Sequence, residues 1–387
     1  VIMTTAELER YNPLPRAIRV PLHPAAPRLR ATPGNTARDV LARVLDVDPR
    51  RVVVTSSGTA ALRLALRGLG EDGGSGGEVV VPTFACGQVV QAVLDEGLRP
   101  VLADVGDDLC LTVSSVARAT TRRTRAVVAV RAFGVAPDVL GHCREAGLAV
   151  VDDAAQSLPT VRTGAASTVL SFGPQKPVPA GVGGALVLGE GATVASHVPV
   201  GDWRSTRVRD AAVRGVRRVW ARGPAAVRLA PALLDRVPDA IERADYSRAC
   251  TLLPRAADPV VARALAATSS VATEERALVH ARFADALSGS TTTRLHARSA
   301  QHLRHGYCVL LTDDRPRVAA ELAAAGVETS WLYYPLHRTS RYGRWASAGP
   351  WPAYADDVWR RTLLVPCRPG LTARQLDRVA TALRRLP

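Results

Sequence analysis

Arg51-Val52-Val53-Val54-Thr55-Ser56-Ser57-Gly58-Thr59-Ala60-Ala61-Leu62 begins as a short β-branched apolar run, passes through a turn of small residues and enters an Ala/Leu segment reaching Leu69. The run reads as a buried strand over 51–55 and residues 60–69 as a helix. A strand, a small-residue turn and a helix start in that order set backbone N–H groups and hydroxyls at the positive end of a helix, where anions bind. A plain N-cap uses the same residues, so the turn alone assigns no ligand.

The same unit recurs downstream. Strands are expected at 78–82, 98–105, 125–130 and 148–153, and helices at 88–96, 114–119 and 139–146. Upstream, Val40, Leu41, Val44 and Leu45 predict a helix over 35–45, after a Pro- and Arg-rich lead-in that reads as an extended arm. Alternation of this kind calls for an α/β fold, a mostly parallel sheet with helices on both faces. In such sheets ligands gather at the carboxyl ends of the strands. Asp152 and Asp153 stand at one predicted strand end.

Thr168-Val169-Leu170-Ser171-Phe172-Gly173-Pro174-Gln175-Lys176 stands at another, ahead of Gly181-Val182-Gly183-Gly184. Lys176 is the only lysine among 50 Lys and Arg residues. Arginine replaces lysine wherever a fixed positive charge suffices, but it cannot be deprotonated to act as an amine nucleophile. Arg bias could leave one lysine by chance; its place at a strand end, beside glycines, is what marks it as functional.

The second half is composed differently. Val208, Ala212, Val216 and Trp220 recur every four residues among arginines, predicting an amphipathic helix, and Pro224, Pro231 and Pro238 divide the stretch. It reads as an Arg-rich crossing over 201–245, which closes a large α/β domain over 1–245 and leads to a small α+β domain over 246–387. In the small domain a long helix is expected over 259–287, a strand over 306–311, a helix over 316–325 closed by Gly326, a strand over 328–333 and a last helix from Thr372.

Composition narrows the class. With 387 residues, 47% of them hydrophobic, the chain can bury a substantial core, and aromatics at 4% leave that core to Ala, Val and Leu. A net charge of +15 would suit nucleic acid, an anionic membrane or a phosphorylated substrate, but the arginines are dispersed and no aromatic-interleaved basic run appears. Six cysteines without a C-x-x-C pair point to reduced thiols rather than a disulfide framework or a structural zinc site. Residues 1–30 lack the apolar region of a signal peptide, and no run is long enough to cross a bilayer. The expectation is a soluble, cytoplasmic protein that binds no nucleic acid and no metal.

Four motifs follow one another: Ser57-Gly58-Thr59-Ala60-Ala61-Leu62, Asp152-Asp153-Ala154-Ala155-Gln156, Ser171-Phe172-x-x-x-Lys176 with Gly183-Gly184, and Tyr333-x-Pro335-Leu336-His337. Their order resembles the DegT/StrS-type aminotransferases, fold type I enzymes that use pyridoxal 5′-phosphate (PLP) and act mainly on nucleotide-linked keto-sugars or keto-cyclitols. The resemblance spans about 51–187 and resumes from 306. It implies that Lys176 is the Schiff-base lysine and that Asp153 faces the pyridine nitrogen, with Asp152 as the alternative acid. It places Gln156 near the cofactor's phenolic oxygen, Gly58, Thr59 and Ser171 at its phosphate, and Tyr333 and His337 toward the substrate. It further implies an amino acid donor, Glu or Gln, a keto acceptor and a homodimer. PLP chemistry asks for the same residue types: an amine, an acid that keeps the ring nitrogen protonated and a phosphate cradle.

Several positions depart from the family pattern. Cys86 stands where members often stack an aromatic on the cofactor ring, so the thiol or Phe84 must cover that face. Val182 replaces a Glu, Leu332 replaces a His, and the segment around Asp245-Tyr246-Ser247-Arg248 lacks the expected Asn-Tyr-Arg-Met pattern. Two other readings therefore stay open: a PLP enzyme with a different outcome (C–C bond formation, decarboxylation or elimination), and a non-catalytic basic binding protein.

Overall fold

The computed structural model describes residues 13, 15, 17–22, 36–69, 76–173, 176–192, 198–201, 250–267, 270–297, 307–330, 332–346, 352–368 and 370–386. The amphipathic stretch expected within 204–246, the boundary expected near 245 and most of the N-terminal lead-in lie outside them.

Helix α1 (Ala37–Leu45) and strand β1 (Val52–Thr55) open the described fold. Then come α2 (Gly58–Arg67), β2 (Glu78–Pro82), α3 (Gly87–Asp95), β3 (Arg99–Ala103), α4 (Val113–Ala119) and β4 (Thr124–Val130). They are followed by α5 (Leu140–Glu145), β5 (Ala149–Asp153), β6 (Ser167–Ser171) and β7 (Gly184–Leu188). These strands form a seven-stranded sheet in the order β1-β7-β6-β5-β4-β2-β3. The five strands from β3 to β6 run parallel, and β7 is antiparallel to both β6 and β1.

The valine runs explain the layering. Val79 and Val81 of β2 and Val128 of β4 pack with Leu62 and Leu66 of α2 and Val90 and Val93 of α3. Val80 and Val127 turn to the other face and pack with Val116 of α4 and Cys143 of α5. A strand covered on both faces has no polar side to alternate with, so it reads as a continuous apolar run. Each fully buried valine contributes roughly 1.5–3 kcal/mol relative to exposure.

The sheet joins α2 through a contact that only glycine permits. Ser57 caps the helix, its Oγ accepting from the Ala60 N–H at 3.1 Å. A Cβ on Gly184 would lie 2.4 Å from the Gly58 nitrogen, 2.5 Å from the Ser57 carbonyl carbon and 2.7 Å from the Leu170 oxygen. All three are backbone atoms, in α2, in its N-cap and in β6, and cannot swing aside. Gly184→Ala is therefore expected to lower stability by about 1–3 kcal/mol, read as a reduced urea midpoint at unchanged m-value.

C-terminal to these elements, α6 (Asp258–Ala267) packs Val261 and Leu265 against the side of the large sheet that carries α1. A three-stranded antiparallel sheet of β8 (Thr293–Leu295), β9 (Tyr307–Thr312) and β10 (Thr362–Pro366) has its own core with α7 (Ser270–Ala286), α8 (Arg315–Ala324) and α10 (Ala373–Leu383), while α9 (Ala353–Arg361) leads into β10. Thr372 and Gln375 form the capping box expected for the last helix, and Gly326 follows α8 at φ +77°.

The helix expected over 259–287 is described on both sides of 268–269, which lie outside the described residues. One expectation is corrected. Residues 328–330 and 332–333 form no strand; Ser330 makes only an isolated bridge to Leu364. The chain there leaves the edge of the small sheet for the large one, where the Leu336 N–H donates to the Thr83 carbonyl at 2.8 Å. The antiparallel β7 and the short β8 were not foreseen.

Candidate active site

Asp152 and Asp153 are neighbours on β5, so their side chains leave opposite faces of the sheet. Asp152 is fully buried; Arg131 donates Nε to its Oδ1 at 2.9 Å and Nη2 to its Oδ2, and Thr168 Oγ1 donates to Oδ2 at 3.3 Å. Arg131 also reaches Thr160, so this pair closes on itself within the core.

Asp153 faces the other way. Its Oδ1 accepts from the Ala155 N–H at 3.0 Å. Burial pushes its carboxyl above the usual range, opposed by the Ala155 N–H, the Lys176 ammonium and the Arg131 guanidinium, while Asp152 adds to the rise. The charge of Lys176 thus acts on Asp153, as the two strand ends lead one to expect.

Lys176 is half-buried in the turn after β6, its backbone N–H donating to the Gly173 carbonyl at 3.1 Å. Ser171, the last residue of β6, touches the start of α2: a Cβ on Gly58 would come within 2.7 Å of Ser171 Cβ and 2.9 Å of its Oγ. Thr59 Oγ1 donates to Gln88 Oε1 at 3.2 Å, tying the N-terminal turns of α2 and α3 together. Gln88 carried no signal in the sequence, where it reads as an ordinary first-turn residue.

Gln156 is held by both ends of its amide. The Phe133 N–H donates to its Oε1 at 3.1 Å, and its Nε2 donates to the Tyr333 phenol oxygen at 2.7 Å. The Phe133 and Tyr333 rings stack at 6.3 Å with 18° between planes, and Phe84 meets both edge-on at 6.4 and 6.1 Å. Phe133 sits at φ 49°, ψ 38°, a left-handed conformation that costs a bulky residue about 1–3 kcal/mol. Its packing with the other two rings and its bond to Gln156 hold it there.

Burial pushes the Tyr333 phenol well above its ordinary value; Cys86, Tyr307 and Asp153 add to the rise, and the Gln156 bond opposes it. Tyr333 thus keeps its phenolic hydrogen at neutral pH, within electrostatic reach of both Asp153 and Cys86. Phe84 is buried among the aromatic rings, whereas Cys86 is half-buried just before α3, without a side-chain cap bond. Of Phe84 and Cys86, only Cys86 is partly exposed.

His337, expected toward the substrate, has a fully buried side chain. Nδ1 lies 2.8 Å from Thr83 Oγ1 and Nε2 lies 3.1 Å from Asp356 Oδ1. Burial lowers its pKa, partly offset by Asp356, so the ring is neutral near pH 7. Electrostatic reach thus links Lys176 to Asp153 and links both Asp153 and Cys86 to Tyr333, which bonds to Gln156; Ser171 meets Gly58, Thr59 bonds to Gln88, and His337 lies against Thr83 and Asp356. Among the described residues no helix is long and apolar enough to cross a membrane.

Comparison with known proteins agrees with this architecture. The chain is 28% identical over 370 residues to UDP-N-acetyl-3-dehydro-alpha-D-glucosamine 3-aminotransferase of Acidithiobacillus ferrooxidans, covering 91% of this chain and 89% of that protein. It is 29% identical over 367 residues to dTDP-4-dehydro-2,3,6-trideoxy-D-glucose 4-aminotransferase of Saccharopolyspora spinosa, covering 87% and 84%. The crystal structure of NtdA from Bacillus subtilis with bound cofactor PMP shares the fold with a TM-score of 0.66 at 20% identity, over 92% of this chain and 77% of that one. The family profile matches residues 41–198 and 263–384, most of the chain, and on that match the chain belongs to the DegT/DnrJ/EryC1/StrS aminotransferase family.

Proposed function

We propose that this protein moves an amino group from glutamate or glutamine to the ketone of a nucleotide-linked sugar or a cyclitol, in a biosynthetic pathway for a specialised metabolite or glycan. That it is a PLP-dependent aminotransferase acting on keto-sugars follows from its family; the donor, the acceptor and the residue roles are the proposal. The observation that carries the roles is the position of the chain's sole lysine, in the turn after β6 and within electrostatic reach of the buried Asp153 carboxyl at the end of the adjacent β5.

The residues present fit the cofactor. PLP supplies an electron sink that makes a proton next to nitrogen labile. Lys176 would supply the amine that anchors it, and its Nζ, once free, would take up and return a proton at the substrate carbon as general base and acid. Asp153, ionised against the pull of burial, holds a proton on the ring nitrogen. The N–H groups at the start of α2, with Thr59 and Ser171, suit a phosphate. Tyr333 offers its phenolic hydrogen to an acceptor oxygen, because Gln156 occupies that oxygen as a donor. Cys86 leaves more room over the ring than an aromatic would. Fold type I sites borrow residues from a second subunit, so the working unit is proposed as a homodimer.

The test is to load the protein with PLP, add L-glutamate or L-glutamine, and follow the cofactor's absorbance together with release of the matching keto acid. Conversion to the amine form with one equivalent of keto acid per site is expected. Failure with a full panel of amino acids would reject transamination and leave a PLP enzyme of different outcome, to which the open face at Cys86 lends itself.

A further inference from the structure

The hydrogen bonds around His337 give it a different role from that of a substrate ligand, an inference that rests on the site reading above. Thr83 Oγ1 accepts from the His337 backbone N–H at 3.1 Å and lies 2.8 Å from Nδ1, while Nε2 lies 3.1 Å from Asp356 Oδ1, a charge contact without hydrogen-bond geometry. A carboxylate paired with a guanidinium has no hydrogen to give, so the proton of the neutral ring belongs on Nε2, and the bare Nδ1 takes the Thr83 hydrogen. Asp356 is itself fixed. Arg338 pairs with both its oxygens, and its helix, α9, is capped by Asp104, whose Oδ1 accepts from Ala355 N at 2.9 Å and Oδ2 from Tyr354 N at 3.1 Å.

Each end of this chain leads to the site. Thr83 ends the stretch that continues into Phe84 and Cys86, and its carbonyl holds Leu336. Four residues before His337 stands Tyr333, bonded to Gln156 and stacked on Phe133. The segment is thus pinned at His337 and working at Tyr333. We propose that Asp356, His337 and Thr83 form a positioning chain that sets the Tyr333 phenol and the Cys86 face against Lys176, and that His337 never touches substrate.

A double-mutant cycle tests this, with PLP itself as the probe. Tyr333→Phe is expected to weaken PLP binding roughly five- to tenfold, the size of one lost hydrogen bond, and to shift the absorption maximum of the bound cofactor. His337→Asn should change both in the same direction by at least about threefold in affinity, because a displaced Tyr333 donates poorly. If His337 acts through Tyr333, the double variant is no weaker than Tyr333→Phe by more than about twofold. Thr83→Val should reproduce His337→Asn, and Thr83→Ser, which keeps the hydroxyl, should rescue it.

Multiplied effects in the double variant overturn the assignment, since they mean that His337 contacts the ligand on its own. Unchanged affinity and absorption in His337→Asn, with only a lower unfolding temperature, overturn it as well by showing a brace without reach into the site. Should His337→Asn fail to fold, Thr83→Val takes its place in the cycle with the same readings. A wild-type protein that takes up no PLP rejects the site reading and this assignment with it, an outcome distinct from the other two.

Discussion

Lys176→Arg is expected to abolish turnover, by at least about 10³-fold, while the protein folds and melts like wild type. The substitution keeps the positive charge that acts on Asp153 and removes the only side-chain amine in the chain. A purely electrostatic role for Lys176 would survive it, because guanidinium supplies the same charge. A nucleophilic and proton-carrying role cannot, because the guanidinium does not give up its proton. Steady-state rates with the identified donor, beside a thermal melt, separate the two, and residual activity above one per cent would contradict the role given to Lys176.

The second large effect divides two neighbouring carboxylates. Asp152→Ala strands the buried Arg131 guanidinium without its partner and is expected to cost about 3–5 kcal/mol of stability, seen in urea unfolding. Asp153→Asn should behave in the opposite way. Burial holds the folded carboxyl above its ordinary value, so the folded state binds the proton more tightly than the unfolded chain. Its contribution to stability therefore falls as pH rises from the ordinary carboxylate value through the raised folded one, and the penalty is complete above that. The Asp153→Asn apoprotein should melt above wild type near pH 8 and match it at pH values below the ordinary carboxylate range. Its turnover, by contrast, should fall by about two orders of magnitude or more, since an amide does not hold a proton on the ring nitrogen as a carboxylate does. The reverse pattern, with Asp152 needed for turnover and Asp153 for stability, would exchange their roles.

Much of the large sheet was legible because its strands are Val-rich and its helices begin at small-residue turns, two local signals that survive without tertiary context. The β1 turn, the β5 carboxylates and the lysine after β6 could be placed at strand ends from these signals alone. What could not be read depends on contacts between distant residues. Nothing in Asp152-Asp153 says which carboxylate will find Arg131, twenty-one residues earlier in the chain. Likewise, nothing in the sequence around His337 announces that Thr83 and Asp356 will lie against its two ring nitrogens. The expected strand over 328–333 failed for the same reason: its apolar and aromatic residues satisfy β-propensity, but they are used to cross toward the large sheet.

The account stands or falls on where the cofactor is attached. Borohydride reduction of the PLP-loaded protein, followed by peptide mass mapping, fixes that position permanently. The account predicts a single pyridoxyl-phosphate adduct on Lys176, absent from Lys176→Arg; an adduct on the chain's α-amino group instead, or none at all, would contradict it.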